Sequence, residues 1–177
     1  SLVGSEMCIR DRYNTSLNGL MIHHDIPPKE FLNFVHDIDL SFMEKDVDLR
    51  GEIEKLDLRK FVFTNGSSEH VSNITTHLGF DDLFEDVFDI VDAEYNPKPA
   101  AKAFDLMVKK FDIDPKETIY IEDIAKNLSI GKERGATTVW LINNEYWGKK
   151  ESDKDYIDYK IENLSLFLKE IRLLKNS

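Results

Sequence analysis

Phe61-Val62-Phe63-Thr64-Asn65-Gly66-Ser67-Ser68 places a strand, a stop and a helix start in one short stretch. The aromatic and β-branched run 61–63 reads as a buried strand. Thr64-Asn65-Gly66 ends it, and Ser67 or Ser68 can cap a helix carrying Val71, Ile74 and Leu78 at helical spacing and closing near Gly79. The same unit recurs downstream. Phe88-Asp89-Ile90-Val91 reads as a second strand, followed by a proline-flanked loop and a helix from Pro99 with Ala103, Phe104, Met107 and Val108 on one face. Thr118-Ile119-Tyr120-Ile121 is the third strand, and a helix from Ala125 to Arg134 follows it, closed by a left-handed cap at Gly135. Thr137 to Ile142 is the fourth. Short apolar runs alternating with amphipathic segments predict an α/β fold, a parallel sheet with crossover helices on its faces.

Further out, residues 149–155 form a hydrophilic loop, Tyr159-Lys160-Ile161 an edge strand, and Leu164, Phe167, Leu168, Ile171 and Leu174 an amphipathic closing helix over one sheet face. Upstream, Leu49, Ile53 and Leu56 predict a helix leading into the first strand. Leu17, Leu20 and Met21, then Phe31, Phe34, Val35 and Ile38 after Pro27-Pro28, predict a small helical cap ahead of the α/β part. The expected organisation is an N-terminal segment 1–12, a cap 13–50 and a core 51–177.

A chain of 177 residues suits one domain. Lys plus Arg at 23 against Asp plus Glu at 34 gives a net charge of −11, which repels nucleic acid and anionic membrane surfaces. With 41% hydrophobic residues there is material for a real core. The longest apolar run, Val139 to Ile142, falls far short of the roughly 20 residues of a membrane helix. A single cysteine, Cys8, has no internal disulfide partner, and no signal-peptide pattern is visible, so a cytoplasmic location is expected.

In open α/β sheets, reactive groups gather beyond the carboxyl ends of the strands. Three polar clusters occupy that place. Thr64-Asn65-Gly66 offers a hydroxyl and amides near a helix N-terminus, suited to phosphate oxygens, although Asn-Gly is also an ordinary turn. Asn96-Pro97-Lys98-Pro99 stiffens the backbone around one cation that can neutralise an anionic substrate or a neighbouring carboxylate; the plainer reading is a solvent-facing lysine in a turn. Glu122-Asp123 supplies hard oxygen ligands for Mg²⁺, with Asn127 four residues on and expected beside Asp123; the plainer reading is acids stabilising a helix start. A hydroxyl, a lysine and an acid pair at successive strand ends argue for one site.

This order resembles the haloacid dehalogenase (HAD) superfamily of aspartate-nucleophile phosphohydrolases, whose second, third and fourth motifs look like Thr64, Lys98 and Glu122-Asp123. The stretches 13–21 and 34–41 resemble the cap of bacterial pyrimidine 5'-nucleotidases of that superfamily. The resemblance implies a Rossmann-like parallel sheet, and hydrolysis of a small phosphate monoester, in particular a pyrimidine nucleoside monophosphate, through an aspartyl-phosphate. Thr64 with Asn65 and Gly66 would hold the phosphate, Lys98 would balance charge, and Asp123 with Glu122 would hold Mg²⁺.

The superfamily's first motif, Asp-x-Asp at the end of an apolar strand ahead of the cap, supplies nucleophile and general acid. Residues 1–12 contain none and resemble translated sequencing adapter, so a truncated N-terminus and an inactive chain are expected. In the family that strand lies between those ending at Thr64 and Ile121, which predicts a sheet with a gap, or makeshift pairing by residues 1–12, and poor stability. Asp37-Ile38-Asp39 has similar letters but follows a helical repeat, and is expected in cap helix or a polar turn. His23 and His24 are expected on the surface. The alternatives are a non-catalytic phosphate-binding module and a receiver-like signalling domain, in which the acid pair would come first in the chain.

Overall fold

The computed structural model describes Leu32 and residues 39–175. Val47–Lys55 forms helix α1, capped by the Asp46 carboxylate, which accepts from the Leu49 amide at 2.8 Å. β1 is Phe61–Phe63. Of the two candidate caps, Ser67 starts the next helix, its hydroxyl accepting from the His70 amide at 3.2 Å; α2 runs Ser68–Leu78 and ends at Gly79, whose φ of 76° is the left-handed conformation that favours glycine. β2 is Asp86–Phe88, α3 Ala101–Phe111, β3 Ile119–Glu122, α4 Leu128–Glu133 and β4 Thr137–Leu141. A short helix α5, Tyr146–Lys149, precedes the edge strand β5, Tyr159–Ile161, and the closing helix α6, Leu164–Lys175.

Two local readings are corrected. The second strand ends at Phe88, because the Asp89 carboxylate accepts from the Val91 and Asp92 amides at 2.8 and 3.0 Å and turns the chain before Ile90 can extend it. The segment after β3 opens with a 3₁₀ turn, Ala125–Asn127, before becoming α-helical. The cap residues before 39 other than Leu32, with Cys8, His23, His24 and Asp37 among them, lie outside the described residues. Leu32 itself is buried beside Ile90. α1 runs through residue 50 and packs on α6, with Ile53 and Leu168 in one core cluster and Arg172 paired to Glu52 at 3.0 Å.

Every ladder is parallel, and among the described residues the strands form two sheets, β1-β2 and β3-β4-β5. The break falls between β1 and β3. Thr64 N–H bonds the Phe88 carbonyl and Glu85 N–H the Lys60 carbonyl, so even-numbered residues of the first strand face β2. Alternation in a parallel ladder then turns the backbone of Phe61 and Phe63 the other way. By the same logic the bond from Thr137 N–H to the Thr118 carbonyl turns Ile119 and Ile121 away from β4. The helical side bridges what the ladders do not. Phe63 meets Phe88 edge-on at 5.4 Å and stacks on Tyr120 at 6.1 Å, above the buried Phe104 and Met107 of α3. The opposite face is closed by α1 and α6 around Ile53, Leu56, Phe80, Leu83 and Leu168.

Candidate active site

The carboxyl ends of β1 and β3, with the loop entering α3, bring the Thr64-Asn65-Gly66 loop, Lys98 and Glu122 together, with Asp123 next in the chain to Glu122. Thr64 Oγ1 accepts from the Gly66 amide at 2.9 Å, which curls the loop after β1. Asn65 Oδ1 accepts from the Lys98 amide at 2.8 Å and ties that loop to the lysine. The Lys98 side chain, 9% exposed, donates to the Phe63 carbonyl at 2.8 Å and to Glu122 Oε1, with its ammonium 5.0 Å from the Phe63 ring centroid. One ammonium therefore joins the last carbonyl of β1 to the last side chain of β3, across the break between the sheets.

Glu122 is held from several sides. Besides Lys98, its Oε1 receives the Tyr120 hydroxyl at 3.3 Å and Asn127 Nδ2 at 3.3 Å. Asn127, expected beside Asp123, thus serves Glu122: the 3₁₀ turn 125–127 sets a different angular spacing from the α-helix that the expectation assumed. Burial, with the Glu122 carboxylate adding to it, pushes the Tyr120 hydroxyl well above the usual tyrosine range. Tyr120 is seated against Gly131, where a Cβ would stand 2.6 Å from ring atom Cδ1.

Asp123, next along the chain, is exposed. Trp140 Nε1–H donates to its carbonyl at 3.0 Å, and Asn143 Nδ2 donates to its Oδ2 at 3.1 Å. Sequence reasoning missed both partners, although Asn143 stands just past β4 and the strand-end rule that found the other clusters applies to it. It also missed Asp89, whose Oδ2 accepts from the Ser68 amide at 2.9 Å and so anchors the first turn of α2 beside the Thr64 loop. Asp39 is exposed, in a polar turn where its Oδ1 accepts from the Ser41 amide at 2.9 Å.

A hard dication takes oxygen ligands, and Mg²⁺ commonly takes one or two protein carboxylates while keeping several waters. Among the described residues no three His, Cys, Asp or Glu side chains gather at one point. Asp123 fits that limited donor set: one carboxylate oxygen is fixed by Asn143, and the other carries no hydrogen bond among the described residues. Glu122 stands beside it with Oε1 engaged by Lys98.

Residues 46–135, which hold all of these loops except that after β4, match the haloacid dehalogenase-like hydrolase family. The chain belongs to that family. Among curated HAD-type relatives it is 40% identical over 50 residues to the D-ribitol-5-phosphate phosphatase of Bacteroides thetaiotaomicron, covering 28% of this chain and 24% of that protein. It is 32% identical over 108 residues to the glyceraldehyde 3-phosphate phosphatase of Pyrococcus furiosus, covering 60% and 45%. The chain thus spans less than half the length of either relative. In three dimensions it resembles a HAD phosphatase from Thermococcus onnurineus, with a TM-score of 0.62 at 18% identity over 98% of this chain and 77% of that one, a likeness of fold.

Proposed function

We propose that this HAD chain carries the phosphate-holding and cation-holding parts of a Mg²⁺-dependent phosphate monoester hydrolase. The observation that carries the reading is the buried Lys98 ammonium, locked between the Phe63 carbonyl and Glu122 while its own amide is tied to Asn65. A fixed cation beside a hydroxyl-bearing loop suits a transferring phosphoryl group, for which catalysis is mostly positioning and charge neutralisation.

Thr64 accepts from Gly66 and so keeps its hydroxyl proton for a phosphate oxygen. Asn65 holds the Lys98 backbone, which helps fix where the lysine's charge stands relative to the Thr64 loop. Asp123, beside Glu122, would hold Mg²⁺, whose bound charge neutralises phosphoryl oxygens. The acid that Lys98 meets among the described residues is Glu122, engaged in the ion pair rather than free to attack. With no nucleophile assigned among the described residues, the reading is of a phosphate and cation binder without turnover.

For the substrate, the cap-like stretches 13–21 and 34–41 favour pyrimidine nucleoside monophosphates. The names of the two curated relatives favour a second reading, a polyol or triose phosphate. Calorimetry with uridine monophosphate, D-ribitol 5-phosphate and glyceraldehyde 3-phosphate, each with Mg²⁺ and a phosphate-release assay alongside, ranks the two. Binding heat that Lys98→Met abolishes, without phosphate release, is the expected result. No binding of any of the three overturns the site, and phosphate release abolished by Asp39→Asn makes the turn aspartate the nucleophile.

A further inference from the structure

We propose that Asn143 is a positioning residue for Asp123, and that Gly148 exists to let it act. The role assigned to Asn143 rests on Asp123 holding the cation. An exposed aspartate after a strand is free to sample rotamers, and each productive geometry must be selected from them. Here two groups from the end of β4 make the selection. Trp140, buried in the core, holds the Asp123 backbone by donating to its carbonyl, and Asn143 holds the carboxylate by donating to Oδ2.

Asn143 is itself fixed. Its Oδ1 accepts from the Glu145 amide at 3.0 Å, and since that backbone group can only donate, the amide's NH₂ must point at Asp123. Behind it lies Gly148 of α5, buried, where a Cβ would stand 2.6 Å from Asn143 Cγ and 2.8 Å from both Cβ and Nδ2. Those atoms include the root of the Asn143 side chain, which cannot swing aside without moving its backbone. Any residue with a side chain at 148 therefore displaces the asparagine. The chain of contact runs from Gly148 through Asn143 to Asp123 Oδ2, and it leaves the second carboxylate oxygen for an incoming cation. Hydrogen-bonded partners of this kind set ligand orientation, and their removal typically weakens a metal about 10- to 100-fold.

Manganese(II), visible by electron paramagnetic resonance, is titrated as a stand-in for Mg²⁺ into the full chain with inorganic phosphate present, and thermal unfolding is recorded for each variant. The expected result is that Asp123→Asn loses manganese binding, Asn143→Ala weakens it about 10-fold or more, and Gly148→Ala, which keeps the amide but displaces it, weakens it less. Loss in Asp123→Asn with Asn143→Ala within about two-fold of the unchanged chain overturns the role of Asn143 and leaves the cation site standing. A change in Asn143→Ala confined to the unfolding midpoint has the same meaning, since a merely structural residue would do that. Indifference of manganese to Asp123→Asn overturns the cation site and the positioning role with it.

Discussion

Lys98 Nζ and Glu122 Oε1 form an ion pair with both side chains under 10% exposed, 9% and 6%, at the point where the two sheets part. In a continuous sheet, backbone ladders would join these strand ends. Here a side-chain pair does so, reinforced by Asn127 and Tyr120 on the acid and by the Phe63 carbonyl on the amine. The site and the cohesion of the fold consequently share the same atoms.

Removing one partner of this pair should therefore cost more than removing both. Lys98→Met leaves a buried carboxylate without its counter-charge, a loss of about 3–5 kcal/mol for a buried pair. Glu122→Gln keeps an oxygen that can accept from Lys98 but leaves the buried ammonium without its counter-charge. The double variant should regain part of that loss, so that the effects fail to add by about 1 kcal/mol or more in a urea-unfolding cycle. Additive losses would show that the two groups do not depend on each other.

Asp89 should set part of the acid limb of stability. Burial raises its pKa, but donated hydrogen bonds from the Asp92, Ser68 and Val91 amides outweigh that and hold the carboxyl below its usual range. A lowered folded pKa means the native state binds its proton less readily than the unfolded chain. The contribution is therefore present above the unfolded value of about 3.9 and fades as pH falls below it. Asp89→Asn should be less stable at neutral pH, and its stability should depend less steeply on pH below about 4. Urea midpoints at pH 7 and at pH 3.5 to 4 check both; an unchanged acid slope would remove Asp89 from the account.

What the sequence could and could not disclose follows from range. Thr64 and Glu122 are legible because each follows an apolar run and strand ends of a parallel sheet share one rim, whereas Lys98, well past the end of β2, is legible from the prolines on either side of it. Ile90-Val91 misled because β-branched residues favour strands, whereas the short Asp89 side chain captured the amides that extension would have used. Asn127 misled because i+4 spacing holds only where the backbone is α-helical. Trp140 and Asn143 lie 17 and 20 residues from Asp123, and their contact depends on the β3-β4 register that sets Glu122 opposite Trp140. No local pattern encodes that register. Gly148 lies in a segment to which the sequence assigns no element, and its closeness to Asn143 depends on how α5 follows β4.

The Tyr120 hydroxyl gives an alkaline test of the same cluster. Burial first, and the Glu122 charge second, raise its pKa far above the ordinary value, so the folded state keeps the phenol proton after the unfolded chain has lost it. Stability from this source is complete below the unfolded value of about 10 and is lost as pH climbs beyond it. Tyr120→Phe keeps the ring between Phe63, Phe104 and Gly131 but cannot ionise. At pH 7 it should lose only the 3.3 Å hydrogen bond to Glu122, about 1 kcal/mol. Between pH 10 and 11.5 its urea midpoint should fall less than that of the unchanged chain, so the two curves converge. Parallel curves over that range would mean that the hydroxyl reaches solvent, and that the aromatic floor beneath Lys98 and Glu122 is open rather than sealed.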